Sequence, residues 1–193
     1  MMYLVLGLVI FFGTHLFSAY RNREAGKDLR VKMGEGPYMG LYSLLSLAGF
    51  ALIIWGYGAA RPAPVLYTPP AFLAHINLLL MAFAMIFLAA AYLPTGHIKK
   101  AVKHPMLLAV KIWAFGHLLA NGELNSVLLF ASFLAYGVLD RIAVKKRGDN
   151  GPGPDAAVSV VGDLGAVVVG LGVYAAILLW LHPVLFGVAA LPG

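Results

Sequence analysis

Six apolar runs, separated by short polar or proline- and glycine-rich stretches, organise the amino-acid sequence. Five of them are long enough for a helix that crosses a lipid bilayer, which needs about 20 apolar residues. The fourth is shorter and has Lys111 inside it. The connections are short, as expected between antiparallel neighbouring helices. The predicted helices are 2–20, 38–60, 71–93, 105–120, 124–143 and 164–186.

Basic residues cluster in alternate connections. Twelve of the 14 Lys and Arg residues follow or close the first, third or fifth run. Because cytoplasmic loops are rich in Lys and Arg, this pattern predicts six spans, the short fourth run included, with both termini on the non-cytoplasmic side. The predicted fold is an all-α integral membrane protein, a six-transmembrane helical bundle. It forms one domain over 1–193, with a flexible cytoplasmic loop at 144–163.

The composition agrees with a protein surrounded by lipid. Hydrophobic residues make up 61% of the 193 residues and charged residues 11%, against about 25% charged residues in soluble domains. A soluble protein of this size has no room to bury so much apolar surface. The net charge of +6 is interpreted as the topology signal of the cytoplasmic loops, so the partner is the lipid bilayer and no nucleic acid is expected. The oligomeric state stays open, a homo-oligomer included.

Histidines are the main chemistry-bearing residues in the apolar runs. The sequence has no cysteine, which excludes zinc–thiolate sites and iron–sulfur clusters. Asp and Glu are absent from the runs except near their ends, which disfavours an ion-coupled transporter. The ionisable residues that remain inside the runs are His15, His75, Lys111, His117 and His182. Histidine in an apolar slot between helices is sufficient for haem ligation.

His15 and His117 are the candidate axial ligands of a haem iron. Aromatic residues lie one turn before each of them, Trp113 in the second case, and suit packing on a porphyrin. Hydrogen bonding of each histidine to another helix is the simpler alternative. Depth is a difficulty, because His15 lies about 9 Å before Arg21 and His117 about 18 Å after Pro105 along their helices. His182 is therefore an alternative ligand that pairs with His117.

Two further patterns have a structural and a functional interpretation. His104 followed by Pro105 is typical of a helix start, but exposed amides there, helped by Lys103, also suit an anion such as a haem propionate. Tyr38 and Tyr42 share a helix face and are typical of an interfacial aromatic belt.

Four motifs in order resemble the NnrU family of membrane proteins. The segment KHPMLLAVKIWAFGHLLANG at 103–122 resembles the family's [RK]HP…W…H…NG signature, and GTHLFSAYR at 13–21 resembles its H…R motif. GLYSLLSLAGFALIIWGYGAAR at 40–61 and LHPVLFG at 181–187 are also similar. The resemblance covers nearly the whole chain and implies a bacterial inner-membrane protein linked to denitrification.

The same family includes 15-cis-zeta-carotene isomerase, a haem b enzyme. The resemblance implies haem b here, with His15 and His117 as ligands, and either cis–trans isomerisation of a hydrophobic polyene or handling of nitric oxide. The isomerase carries a cysteine three residues before its second histidine, where this chain has Ala114, which counts against a redox-controlled ligand switch. The alternatives are a non-enzymatic factor for maturation or expression of nitrite and nitric oxide reductases and, through the HP element, a lipid methyltransferase.

Overall fold

The chain folds into α-helices. The computed structural model describes residues 1–191, so the last two residues of the predicted domain lie outside it. Within residues 1–191 there is no β-strand beyond an isolated bridge between Val65 and Glu123. The helices are α1 Met2–Tyr20, α2 Leu29–Met33, α3 Glu35–Ala59, α4 Phe72–Tyr92, α5 His97–Val102, α6 Pro105–Ala120, α7 Leu124–Lys146, α8 Val160–Ala176 and α9 His182–Phe186, with a π-helical turn Ile177–Leu181 joining the last two.

Five helical segments are long and apolar enough to cross a membrane, namely α1, α3, α4, α7 and the continuous segment Val160–Phe186. This confirms an all-α chain of membrane-spanning character. The sixth apolar helix, α6, has 16 residues and extends about 24 Å, less than the hydrocarbon thickness of about 30 Å. The count of six spans therefore stays a prediction, as does the orientation relative to the cytoplasm.

Local signals move the helix starts from the predicted positions. The last long helix begins at Val160 rather than at 164, because the Ser159 hydroxyl accepts a hydrogen bond from the Gly162 amide (3.3 Å) and caps it. The second begins at Glu35 rather than at 38, after Gly34, whose φ of 81° ends α2. An apolar run does not include a first helical turn that is formed by polar residues, so it predicts a later start.

The long helices pack in the spatial order α3–α1–α7–α6–α4–α8. Helix α1 lies between α3 and α7, and α4 lies between α6 and α8, so two groups of three helices meet where α6 contacts α7. In residues 1–191, α1 and α6 do not contact each other directly. Apolar side chains such as Leu44 and Ile54 are 60% or more exposed, as expected for surfaces that face lipid.

Helices α1 and α3 approach closely along small residues. A Cβ atom on Gly49 would lie 2.7 Å from the backbone nitrogen of Phe11, and one on Gly7 would lie 2.6 Å from that of Ile53. Small residues permit this backbone approach in membrane helices. The contact fixes α1, which carries His15.

We call the long helices in their spatial order the helix row. The loops at one end of this row comprise residues 21–34, 93–104 and 147–159, and we call them the basic end. The second and third of these loops, with the start of α8, are joined by several hydrogen bonds. The Asp163 carboxylate accepts bonds from the amides of His97 and Ile98 (both 2.9 Å), and Lys100 Nζ donates to the carbonyl of Ala156 (3.2 Å). Residues 144–146 and 160–163 of the predicted loop are helical.

The 61–71 connection packs at the opposite end, on the turn between α6 and α7. The Leu66 amide donates to the Gly122 carbonyl (2.8 Å), and the Tyr67 hydroxyl donates to the carbonyls of Asn121 (2.9 Å) and Leu118. A Cβ atom on Gly122 would collide with the Tyr67 carbonyl. The Asn–Gly pair that follows α6 is therefore a structural contact site.

Candidate functional site

His15 is half-buried in α1, and among the described residues 1–191 only its Nδ1 has a hydrogen-bond partner. Its Nδ1–H donates to the Phe11 carbonyl (2.7 Å), and its ring centroid lies 5.2 Å from that of Tyr42 in α3 and 5.7 Å from that of Tyr136 in α7. A neutral ring that donates from Nδ1 has its lone pair on Nε2. Metal-binding histidines commonly use their other nitrogen in this way.

His117 repeats this pattern in α6. Its Nδ1–H donates to the Trp113 carbonyl (2.8 Å), and its ring stacks on Phe130 with centroids 4.6 Å apart. Asn121 closes the helix behind it, since its amide and its side-chain Nδ2 both donate to the His117 carbonyl (2.9 Å each). The second histidine therefore also has a free Nε2 in an aromatic setting.

The two histidines lie at different levels of α7. His117 contacts Phe130 and His15 contacts Tyr136, six residues apart and hence about 9 Å along the helix axis. Phe133 lies between them, with its ring 5.2 Å from that of Trp113 and 6.0 Å from that of Phe11. This offset agrees with the depth difference expected from the sequence.

Haem ligation can be tested against this geometry. An imidazole nitrogen binds a metal at about 2 Å, so two axial nitrogens on one iron lie about 4 Å apart. Taken singly, His15 and His117 each have the donor that an iron requires. As a pair on one iron, they would have to meet from levels of α7 that lie about 9 Å apart, on either side of the level of Phe133.

His182 and Trp113 complete the aromatic side of the candidate site. The His182 Nδ1–H donates to the Val188 carbonyl (2.8 Å), and its ring centroid lies 4.9 Å from that of Phe186. Trp113 packs edge-on against Phe130 (5.0 Å) and stands 5.2 Å from His117. Its position beside a candidate ligand is the one expected from the sequence.

Lys103 and His104 engage the 147–159 loop. His104 Nε2–H donates to the Asp149 carbonyl (3.2 Å), and the Lys103 backbone, with φ of 66°, packs against Gly151. His104 and His117 are separated by thirteen residues of one helix, about 20 Å. The structure therefore does not bring Lys103 and His104 next to His117.

A polar pocket of about 180 Å³ adjoins His15 at the basic end. Tyr136 donates to the Asp140 carboxylate (3.2 Å) on its wall. This pocket was not predicted from the sequence, because it forms only where α1, α3 and α7 converge. A signal was present in Tyr136 and Asp140, which are four residues apart on one helix face. The lining residues are His15, Ser18, Ala19, Arg23, Tyr42, Tyr136, Asp140 and Arg147.

Three arginines close the end of α1 beside this pocket. Arg147 donates to the Ala19 carbonyl (2.8 Å), Arg23 to the carbonyls of Ala19 (3.2 Å) and Ser18 (3.1 Å), and Arg21 to Ser18 (3.1 Å). Cations at the C-terminal carbonyls of a helix are favourable. The arginine of the H…R motif therefore has a structural role.

Asp28 holds this corner of the basic end in place. Its carboxylate accepts a bond from Arg21 Nε (3.1 Å) and one from the Arg30 amide (2.9 Å). Burial alone would raise the pKa of the Asp28 carboxyl, but the bonds from Arg30 and Arg21 outweigh it, so the pKa lies below its usual value.

An apolar groove of about 280 Å³ runs between α1 and α7 nearer the middle of the helices. Tyr136 lines both this groove and the polar pocket. In residues 1–191, no group of three or more His, Asp or Glu side chains is placed to hold a metal ion. The groove residues are Leu8, Val9, Phe12, Gly13, Leu16, Ser132, Ala135, Tyr136 and Leu139.

Comparison with known proteins gives one match. No curated protein and no solved structure matches the chain. The family model described as NnrU protein matches residues 3–190. That range contains nearly all of the chain and every histidine discussed above. The helical membrane protein described here therefore belongs to the NnrU family.

Proposed function

We propose that the protein binds haem b through a histidine of the helix row. The proposal is carried by His15 and His117, whose Nδ1–H groups donate to carbonyls one turn earlier and whose Nε2 atoms have no hydrogen-bond partner within residues 1–191. His97 also engages Nδ1, on Asp163 (2.8 Å), but its side chain is 66% exposed at the basic end and does not lie between helices. The different levels of the two histidines favour a haem iron that is bound by one of them and not by both.

Single ligation suits the activities that the resemblance implies. When bound, haem supplies an iron centre that takes up nitric oxide or interacts with a carbon–carbon double bond, provided that one axial position is open. The apolar groove between α1 and α7 offers a surface for a hydrophobic chain such as a polyene. The chain itself would contribute the imidazole and exclude water with the aromatic residues around Phe133.

Absorption spectroscopy of the purified protein tests haem binding. We expect a Soret band that is lost in His15→Ala or in His117→Ala, while the control His97→Ala keeps it. Loss in only one variant supports single ligation, whereas a change from low-spin to high-spin haem in both supports a shared iron. If His182→Ala abolishes the band and the other two variants retain it, His182 is the ligand and our assignment is wrong.

The downstream activity needs separate assays. Nitric oxide added to the reduced protein should shift the Soret band if the protein handles this gas. Chromatography of carotenoid isomers from a host that makes the cis polyene should reveal conversion if it is an isomerase. Colourless protein from haem-replete cells would refute haem binding and favour a non-enzymatic factor for maturation or expression of nitrite and nitric oxide reductases.

We also propose that α6 completes six spans in the bacterial inner membrane, with the basic end in the cytoplasm. The packing of α6 between α4 and α7 supports the sixth span. Both ends of the described chain lie opposite the basic loops, which supports the orientation. There the rings of Tyr3 and Trp55 lie 4.5 Å apart, and the Phe186 carbonyl accepts a bond from Arg61. The native chain lacks cysteine, so Asn150→Cys and Thr68→Cys can be labelled singly in intact cells. An impermeant maleimide should label only Thr68→Cys; the reverse pattern would invert the topology.

A further inference from the structure

We propose that the polar pocket beside His15 binds an oxyanion, a phosphate or a carboxylate, of an amphipathic molecule, and that Arg23 and Arg147 hold it. The pocket lies where the ends of α1, α3 and α7 meet at the basic end. Basic pockets between membrane helices are known binding places for anionic head groups. No part of the inference depends on which histidine binds iron.

Hydrogen bonds hold the two arginines in position and leave some of their N–H donors for a ligand. Arg147 uses Nη1, and Arg23 uses Nη1 and Nη2, on carbonyls at the end of α1. A guanidinium has five N–H donors in a fixed fork that matches carboxylate and phosphate oxygens. In residues 1–191 no carboxylate lies within 4 Å of either guanidinium, whereas nearby Arg21 is paired with Asp28.

The charge of the pocket favours an anion. Arg23 and Arg147 contribute two positive charges to the lining and Asp140 contributes one negative charge. Burial and the positive charges of Arg21 and Arg147 lower the pKa of Arg23. An oxyanion between the arginines would relieve this repulsion, and it would be repelled by Asp140.

Position along α1 supports an amphipathic ligand. The pocket involves α1 from His15 to Ala19 and the loop to Arg23, at the level where a span ends. A molecule with its charged group here has its apolar part in the membrane. Two sources share this chemistry, namely an anionic phospholipid and the propionates of the haem proposed above. In the second case the inference rests on the proposed function.

Lipid binding by haem-free protein provides the first test. The protein from haem-deficient cells is placed in phosphatidylcholine nanodiscs with increasing phosphatidylglycerol, and bound lipid is counted by native mass spectrometry. We expect Arg147→Gln to weaken phosphatidylglycerol binding about tenfold, since it removes charged hydrogen-bond donors to the oxyanion. The matched control Lys145→Gln removes the same charge from a residue that is likewise exposed but does not line the pocket, and it should change binding less than about twofold.

Opposite signs separate binding from damage to the fold. Asp140→Asn removes the repulsive charge and should tighten binding, whereas general destabilisation would weaken it. Arg147→Lys keeps the charge and should bind better than Arg147→Gln. Far-UV circular dichroism checks that each variant is helical. The phospholipid source is refuted if Arg147→Gln binds phosphatidylglycerol as well as Lys145→Gln does.

The haem arm then decides whether the carboxylates are the ligand. In haem-loaded protein, transfer of haem to apomyoglobin should be faster in Arg147→Gln and Arg23→Gln than in Lys145→Gln if propionates occupy the pocket. Equal transfer rates together with unselective lipid binding would overturn the inference. Protein that is colourless when purified from haem-replete cells, but that still selects phosphatidylglycerol, would refute the haem proposal and leave this one standing.

Discussion

The substitution Gly49→Ala should loosen the contact between α1 and α3. The added methyl group would lie 2.7 Å from the backbone nitrogen of Phe11 and 3.0 Å from its Cα. Backbone atoms cannot rotate away as a flexible side chain does, so the two helices must separate. Gly40, in the same helix, has no atom within 4 Å of its added methyl group and provides the matched control.

The expected magnitude follows from two terms. Overpacking a close contact costs about 1–3 kcal/mol, whereas replacing glycine by alanine in a helix favours folding by up to about 1 kcal/mol. The second term is common to both variants. Gly49→Ala should therefore be less stable than Gly40→Ala by about 1–3 kcal/mol, when unfolding is followed by far-UV circular dichroism during titration of dodecyl sulfate into micelles.

The same substitution should disturb His15, because the displaced residue Phe11 is the one whose carbonyl holds the His15 ring. If the protein carries haem on His15, the Soret band of Gly49→Ala should shift while that of Gly40→Ala stays in place. Equal stability of the two variants would refute the close packing of α1 and α3 described above.

Two other substitutions test the ends of the helix row. Asp28→Asn should lower the stability of the folded protein at pH 7 and weaken the pH dependence of that stability. Because the pKa of the Asp28 carboxyl is lower in the folded state, its ionised form stabilises the fold above about pH 4, where the unfolded carboxyl is also ionised. This contribution is lost as the pH falls through the folded-state pKa. Wild type and variant should converge in dodecyl sulfate titrations at the acid end, and a constant difference would contradict the ion pair. Tyr67→Phe should lower the free energy of unfolding by about 0.5–1.5 kcal/mol in the same titration at pH 7, because it removes the hydroxyl bonds to the carbonyls of Asn121 and Leu118. An unchanged titration midpoint would argue against these bonds.

Helix positions were predictable from the sequence because lipid imposes a length and an apolar composition on every span. The first and fourth predicted runs coincide with α1 and α6. The other boundaries moved where polar residues form a first or last turn, as at Glu35 and at Lys146. Hydropathy counts apolar residues, whereas helix ends are set by hydrogen bonds and caps.

The candidate site was predictable only in part. His15 and His117 stand out as ionisable residues in apolar runs, and the mismatch in their depth was evident from residue counting. The pocket around His15 depends on which helices are neighbours, and the sequence does not encode that in a periodic pattern. Tyr42, interpreted as part of an interfacial belt, instead lies beside His15, and Tyr38 is buried.

The position of α7 has a consequence for biogenesis. When synthesis has reached residue 123, α1 with α3 and α4 with α6 are complete as two helix pairs, but the helix that touches both does not yet exist. The pairs can join only after α7 leaves the ribosome and enters between α1 and α6. We expect a nascent chain stopped before α7 to hold two separate, protease-sensitive hairpins, and any cofactor contact that uses both halves to form late in synthesis.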